Sequence, residues 1–248
     1  MTPPGAPSAH PLQGASSQKP DPSPGVQSLQ GLSTSRIYPE DASGPAQPVP
    51  RYPLETRRLV PAVSFAPEVL LLAQGRGLGL KAAIFDVDGV LTDGRLYIGE
   101  HGETVKAFST LDGQGLKLLV AGGIEPLIIT GRDSAAVRRR VADLGLKHAV
   151  YGAHDKLAAA TTLLASLGMD WEDTGAMGDD WPDLPLLVRA AFACAPANAH
   201  ADAKAAAHHV TAAAGGHGAA REFCDLLLLA NGRYGGLLRA QSQTLDAR

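Results

Sequence analysis

The chain is poor in cysteine, in net charge and in uninterrupted apolar sequence. Two cysteines in 248 residues, Cys194 and Cys224, are too few for a disulfide framework. Neither has metal-ligating companions at short spacing, so both read as reduced, buried cytosolic thiols. A formal net charge of −3 supplies no basic field for a nucleic-acid backbone or an anionic membrane, which leaves a small soluble ligand as the expected partner. No apolar run reaches membrane-spanning length. Arg57–Gly75 imitates a secretory signal, with a basic start and an apolar middle, but it is internal and is broken by Pro61, Pro67 and Glu68, so it is not read as one.

The first sixty residues also lack any sustained hydrophobic period. Met1–Pro61 is dense in Pro, Ser, Gly and Gln and has few aromatics, a composition that cannot bury enough apolar surface to offset its ordering entropy. Residues 1–66 are therefore expected to be a disordered extension, and residues 237–248 a flexible tail. A short helix with proline in its first turn is expected from Pro67 to Gln74. The hydrophobic content of the whole chain, 45%, suffices for one packed domain between these ends.

From Lys81 onward the pattern alternates. Short apolar runs (AAIF, PLIIT, HAVYG, TGAMG, AAFACA) are separated by amphipathic stretches such as DGQGLKLLVAGG, DSAAVRRRVADLG and KLAAATTLLASLG. This rhythm predicts an α/β fold, a doubly wound, Rossmann-like parallel sheet covered on both faces. GRLYIGEHGETVKAF alternates around a turn at Gly99–Gly102 and predicts a β-hairpin flap near the end of the first strand. GAAREFCDLLLLANG predicts a helix that closes at Gly232.

Ligands of such sheets lie beyond the carboxyl ends of the strands, so the polar residues that end each apolar run should converge. AIFDVDGVLTD (Ala83–Asp93) ends in Asp86 and Asp88, IITGR carries Thr130, a helix begins near Lys156, and TGAMGDD ends in Asp179 and Asp180. Carboxylates are costly to bury and repel one another, so this pair at the mouth of an apolar run implies a neutralising cation or proton. Nucleophile, second acid, hydroxyl, ammonium and acid pair form the set that phosphoryl transfer requires. Blander readings exist. Asp86 and Asp88 could be turn residues, Thr130 a strand-end hydroxyl and Lys156 a solvated helix residue. The Asp179, Asp180 and Asp183 cluster could cap the helix PDLPLLVRA, and Asp183 is assigned no more than that. His208 and His209 read as surface or core imidazoles. GRGLGL precedes its strand, which excludes a dinucleotide loop.

In order and context, DVDGVLTD, Thr130-Gly131, Lys156 and GDDWPD resemble the four motifs of the haloacid-dehalogenase-like hydrolase superfamily. KAFSTLDGQGLKLL, IITGRDSAAVRRRVADLG, MGDDWPDLP and GGHGAAREFCDLLL resemble its 3-deoxy-D-manno-octulosonate 8-phosphate phosphatases. The resemblance covers about Lys81 to Gly232 and implies a capless fold across residues 67–236. It implies a cytoplasmic, magnesium-dependent phosphomonoesterase of lipopolysaccharide sugar synthesis, a homotetramer acting on a sugar-acid phosphate. Asp86 would be the nucleophile and Asp88 the general acid and base. Thr130 and Lys156 would hold the transferring oxygens, and Mg2+ would sit on Asp86, the Asp88 carbonyl and Asp179, with Asp180 one step removed. The resemblance further implies substrate contacts from Asp88, Ser109, Thr110, Leu111, Asp112, Gly113, Lys117, Arg132, Arg140 and Lys156. Leu111 and His217 depart from the family, where arginine is common. Hydrolysis of another sugar-acid phosphate, a phosphoacceptor signalling domain and an idle scaffold remain as alternatives.

Overall fold

A computed structural model describes residues 60–76 and 79–243; the disorder expected of residues 1–59 lies outside them. Strand β1 (Ala82–Phe85) is buried at every position. The hairpin strands β2 (Tyr97–Gly99) and β3 (Gly102–Val105) pair antiparallel through Gly99 and Gly102, the turn expected from sequence. The main sheet adds β4 (Glu125–Ile129), β5 (His148–Val150), β6 (Thr174–Met177), β7 (Phe192–Ala195) and β8 (His209–Val210), in the order β5-β4-β1-β6-β7-β8. All its pairings are parallel. After β1 the chain builds outward on one side through β4 and β5, then returns to build the other side from β6. β1 therefore lies at the topological switch point, where the strand ends open a crevice.

Eight α-helices complete the described residues: α1 (Pro67–Leu72), α2 (Thr110–Ala121), α3 (Ala135–Leu144), α4 (Lys156–Ser166), α5 (Leu184–Arg189), α6 (Ala201–Ala206), α7 (Ala219–Ala230) and α8 (Tyr234–Gln243). Successive β1 side chains point to opposite faces of the sheet. Ala83 and Phe85 join a core with Leu116 and Leu119 of α2, Val137 and Val141 of α3, and Phe223 and Leu227 of α7. Ala82 and Ile84 join a second core with Ala160 and Leu164 of α4, Leu186 of α5 and Ala203 of α6. Burying a side chain as large as Phe85 contributes about 1.5–3 kcal/mol, so a strand buried on both faces anchors the site that follows it.

Two boundaries differ from the sequence reading. Phe65, assigned to the extension, packs on the first core and meets the His209 ring edge-on at 5.7 Å. Residues 237–243, expected as tail, belong to α8, whose Tyr234 and Leu237 pack on the same core. Gly235 and Gly236 are weak helix formers and hide this helix from a propensity reading, but apolar packing prevails. α7 closes as expected at Gly232. Its φ is +66°, and the Gly232 and Arg233 amides donate back to the Leu229 and Leu228 carbonyls at 2.9 and 2.8 Å. Among the described residues only the hairpin interrupts the alternation near the site, so no separate cap domain is present there.

Candidate active site

The expected convergence occurs at the carboxyl ends of β1 and β6. Asp86 follows β1 directly and is 6% exposed. Its backbone amide donates to the Met177 carbonyl at 3.1 Å, locking the two strand ends together. Asp179 lies two residues beyond β6, just before the 3-10 turn Trp181–Asp183 that Asp180 caps. Carboxylate oxygens of Asp86, Asp179 and Asp183 all lie within 4.8 Å of one another. The buried Lys156 ammonium, at the start of α4, stands 2.8 Å from Asp86 Oδ1 and 2.7 Å from Asp183 Oδ1.

The backbone around this cluster is tight. A Cβ on Gly89, where φ is +89°, would fall 1.9 Å from Asp179 Oδ2. A Cβ on Gly215 would fall 1.7 Å from the Gly89 carbonyl oxygen, and the Gly216 amide donates to the Val90 carbonyl at 2.9 Å. The Gly-Gly segment before α7 thus presses against the turn that carries Asp88, an approach only glycine permits.

Three carboxylates facing one ammonium leave an excess of negative charge. Burial, reinforced by the charge of Asp183, pushes Asp86 up to about 7 despite Lys156 beside it. Asp179 is pushed up to about 7 by burial and then by Asp183. Burial opposes the charge on Lys156, but Asp86 and Asp183 outweigh it and hold the ammonium protonated. A trio of hard oxygen donors short of positive charge fits a hard divalent cation such as Mg2+.

Asp183, read from sequence as a helix cap only, is central here. Its Oδ2 accepts from the Asp179 and Asp180 amides at 3.0 and 3.4 Å, while Oδ1 takes Lys156. Asp180, expected near the metal, has an exposed side chain outside the carboxylate trio, because the turn directs Asp183 inward. Thr130 follows β4, is 1% exposed, and has its hydroxyl within 3.4 Å of the Arg132 amide.

Asp88 is also gathered in. It pairs with the Lys106 ammonium, and Arg132 Nε lies 3.9 Å away. Lys106 was not anticipated; its side chain is 1% exposed, and it follows β3, so the hairpin reaches the crevice. Glu103, also unanticipated, bonds Lys106, Arg132 and Ser134. The signal available in the sequence was the hairpin itself, placed near the carboxylates with a Glu and a Lys three apart.

Several of the remaining expected substrate residues are engaged within the chain. Ser109 caps α2, its hydroxyl accepting from the Leu111 and Asp112 amides at 3.2 and 3.4 Å. Leu111 points outward, 57% exposed. Asp112 is buried and accepts from the Gly218 and Arg221 amides at 3.3 and 2.8 Å. It satisfies free N–H groups at the start of α7, which accounts for its burial. Arg140 donates to the Ser109 carbonyl at 3.0 Å and lies over the Phe108 ring. With Thr110, Gly113, Lys117, Gln114 and Leu144 it lines a groove of about 200 Å³ between α2 and α3 that includes none of the clustered aspartates. His208 accepts from the Ala193 amide at 2.9 Å and stacks on Phe192, and His209 meets Glu222. Both imidazoles are engaged by contacts within the fold.

Comparisons with known proteins agree with this geometry. The family model of haloacid dehalogenase-like hydrolases matches residues 150–223. The chain is 44% identical over 154 residues to the 3-deoxy-D-manno-octulosonate 8-phosphate phosphatase of Escherichia coli strain K12, covering 62% of this chain and 82% of the relative. The Yersinia pestis enzyme of that name superposes with a TM-score of 0.65 at 40% identity, covering 69% of this chain and 91% of the other. The Moraxella catarrhalis enzyme, solved in complex with magnesium ion, phosphate ion and KDO, gives a TM-score of 0.66 at 36% identity, covering 70% and 97%.

Proposed function

The chain belongs to the 3-deoxy-D-manno-octulosonate 8-phosphate phosphatases of the haloacid dehalogenase-like hydrolases, and on that premise we propose that its four-motif crevice hydrolyses this sugar-acid phosphate with Mg2+. The carrying observation is the carboxylate trio closed around buried Lys156 at the ends of β1 and β6. Asp86 attacks phosphorus and the bond to the sugar oxygen breaks, while Asp88 gives that oxygen its proton. Water then attacks the aspartyl-phosphate, Asp88 takes its proton, and inorganic phosphate leaves. Lys156 and Thr130 hold the transferring oxygens. Asp86, Asp179 and the Asp88 carbonyl would hold the metal, with Asp183 fixing Lys156 and the backbone of the Asp179 loop. When bound, Mg2+ supplies charge that neutralises the phosphate dianion.

The finer parts of the reading are cytoplasmic location and a tetramer. No helix among the described residues is long and apolar enough to cross a membrane. In favour of assembly, the hairpin exposes Ile98 by 63% and Val105 by 55%, and one hairpin is too small to exclude water from the site alone. Phosphate release from the octulosonate phosphate, compared with other sugar phosphates and with a chelator added, tests the function. Release that is insensitive to the chelator, or absent on the sugar-acid phosphate, would refute it.

A further inference from the structure

Beside the carboxylate trio, the crevice holds a second polar cluster in which one carboxylate sits within a set of donors. Glu103 Oε1 accepts from the Ser134 hydroxyl at 2.8 Å. Its Oε2 takes Arg132 Nη2 at 3.3 Å and the Lys106 ammonium at 3.2 Å. The donors come from three places: Lys106 from the end of the hairpin, Arg132 from the loop after β4, and Ser134 from the cap position of α3. Burial alone would raise the Glu103 carboxyl, but Ser134 and Lys106 outweigh it and hold it below the usual range. Both cations also face Asp88, the group that protonates the departing sugar oxygen, so a leaving group leaves past them. Two cations and a hydroxyl converging on both oxygens of one planar anion form a carboxylate cradle.

We propose that Glu103 is an internal stand-in for the carboxylate of the substrate: it occupies the Lys106, Arg132 and Ser134 cradle in the free protein and is displaced when an acidic sugar phosphate enters. This rests on the function proposed above and adds the residue that sets its preference. Glu103 lies on β3 of a two-stranded ribbon that these contacts hold to the side of the main sheet. An acidic leaving group recovers the same charge-assisted bonds, whereas a neutral sugar leaves Glu103 in place. Binding of the acid is weakened by the competition, and the hairpin is released only by the substrate class that can replace its tether.

The test is Glu103→Gln in the full chain with Mg2+, assayed on 3-deoxy-D-manno-octulosonate 8-phosphate and on glucose 6-phosphate. Removing the competing charge should raise the ratio of kcat/KM for the acid over that for the neutral sugar by about tenfold, the size of one charge-assisted bond, with the change carried by KM. An unchanged or lowered ratio would overturn the proposal while leaving the phosphatase function intact. Wild-type protein inactive on the acid would overturn both. A second measurement needs no variant: free 3-deoxy-D-manno-octulosonate should speed amide exchange across 102–105 in the wild type, and galactose should not. Unchanged or slowed exchange with the acid, or equal acceleration by galactose, would also reject the displacement.

Discussion

Asp86 concentrates the chemistry in one side chain. Asp86→Asn keeps the volume and removes the nucleophilic charge, so turnover should fall by about a thousandfold or more while the melting temperature is kept or raised; steady-state assays and calorimetry check both parts. The same residue carries a pH signature. Asp86 and Asp179 have folded values near 7 against ordinary values of 3.8, so the folded protein binds these protons more tightly than the unfolded chain does. Without metal, stability should therefore fall as pH rises from about 4 to about 7. Because Mg2+ and protons compete for these oxygens, the thermal shift on adding Mg2+ should be larger at about pH 8 than at about pH 5; a shift independent of pH would contradict this. At this scale the sequence was informative where a polar residue is tied to a strand end, as for Asp86 and Thr130, or to a helix start, as for Lys156. It was silent where a turn chooses between neighbours: nothing in GDDWPD tells that Asp183 points inward and Asp180 outward, because that depends on the three-residue turn closing on Lys156.

Helix α7 shows how an element is held by carboxylates as well as by apolar packing. Asp112 reaches across from α2 to the amides at the start of α7, so Asp112→Ala should cost about 1–3 kcal/mol in urea unfolding, the penalty of stranding buried donors. Glu222 accepts from the Ala212 and Ala213 amides at 3.1 and 3.2 Å and pairs with His209. Burial opposes its charge, yet His209 and those amides hold its carboxyl below the ordinary value of 4.5. Its contribution is thus present above about pH 4.5 and is lost as pH falls through the lower folded value. Glu222→Gln should flatten the acid limb of the stability profile, and an unchanged limb would count against it. Gly215→Ala should displace the segment before α7 from the Asp88 turn and lower kcat, since its Cβ would overlap the Gly89 carbonyl at 1.7 Å. The strands were legible as short apolar runs, and α3 and α7 because their hydrophobic periods are strong. α6, six residues rich in alanine, and the glycine-containing α8 were not, because tertiary packing and not local preference forms them.

At the scale of the whole molecule, the order of the strands decides which parts are exposed to strangers. The sheet ends in β5, three residues long, and β8, two residues long, while the strand that leads into the nucleophile is paired on both sides. If subunits complete the site, the exposed hairpin and not the sheet should carry the contact; Ile98→Asp should then lower the mass measured by light scattering and the activity together, and a change in one alone would argue against a shared site. Removing residues 1–59 should leave phosphate release unchanged, because Phe65 and α1 retain their packing on the core. The brevity of β5 and β8 has another effect. An exposed strand recruits foreign chains by offering a row of free amides and carbonyls, and rows of two or three residues offer too few to template such growth. In a crowded solution the folded protein is poorly suited to seed β-aggregates, so precipitation on storage should follow the rate at which molecules unfold, not the rate at which folded ones collide.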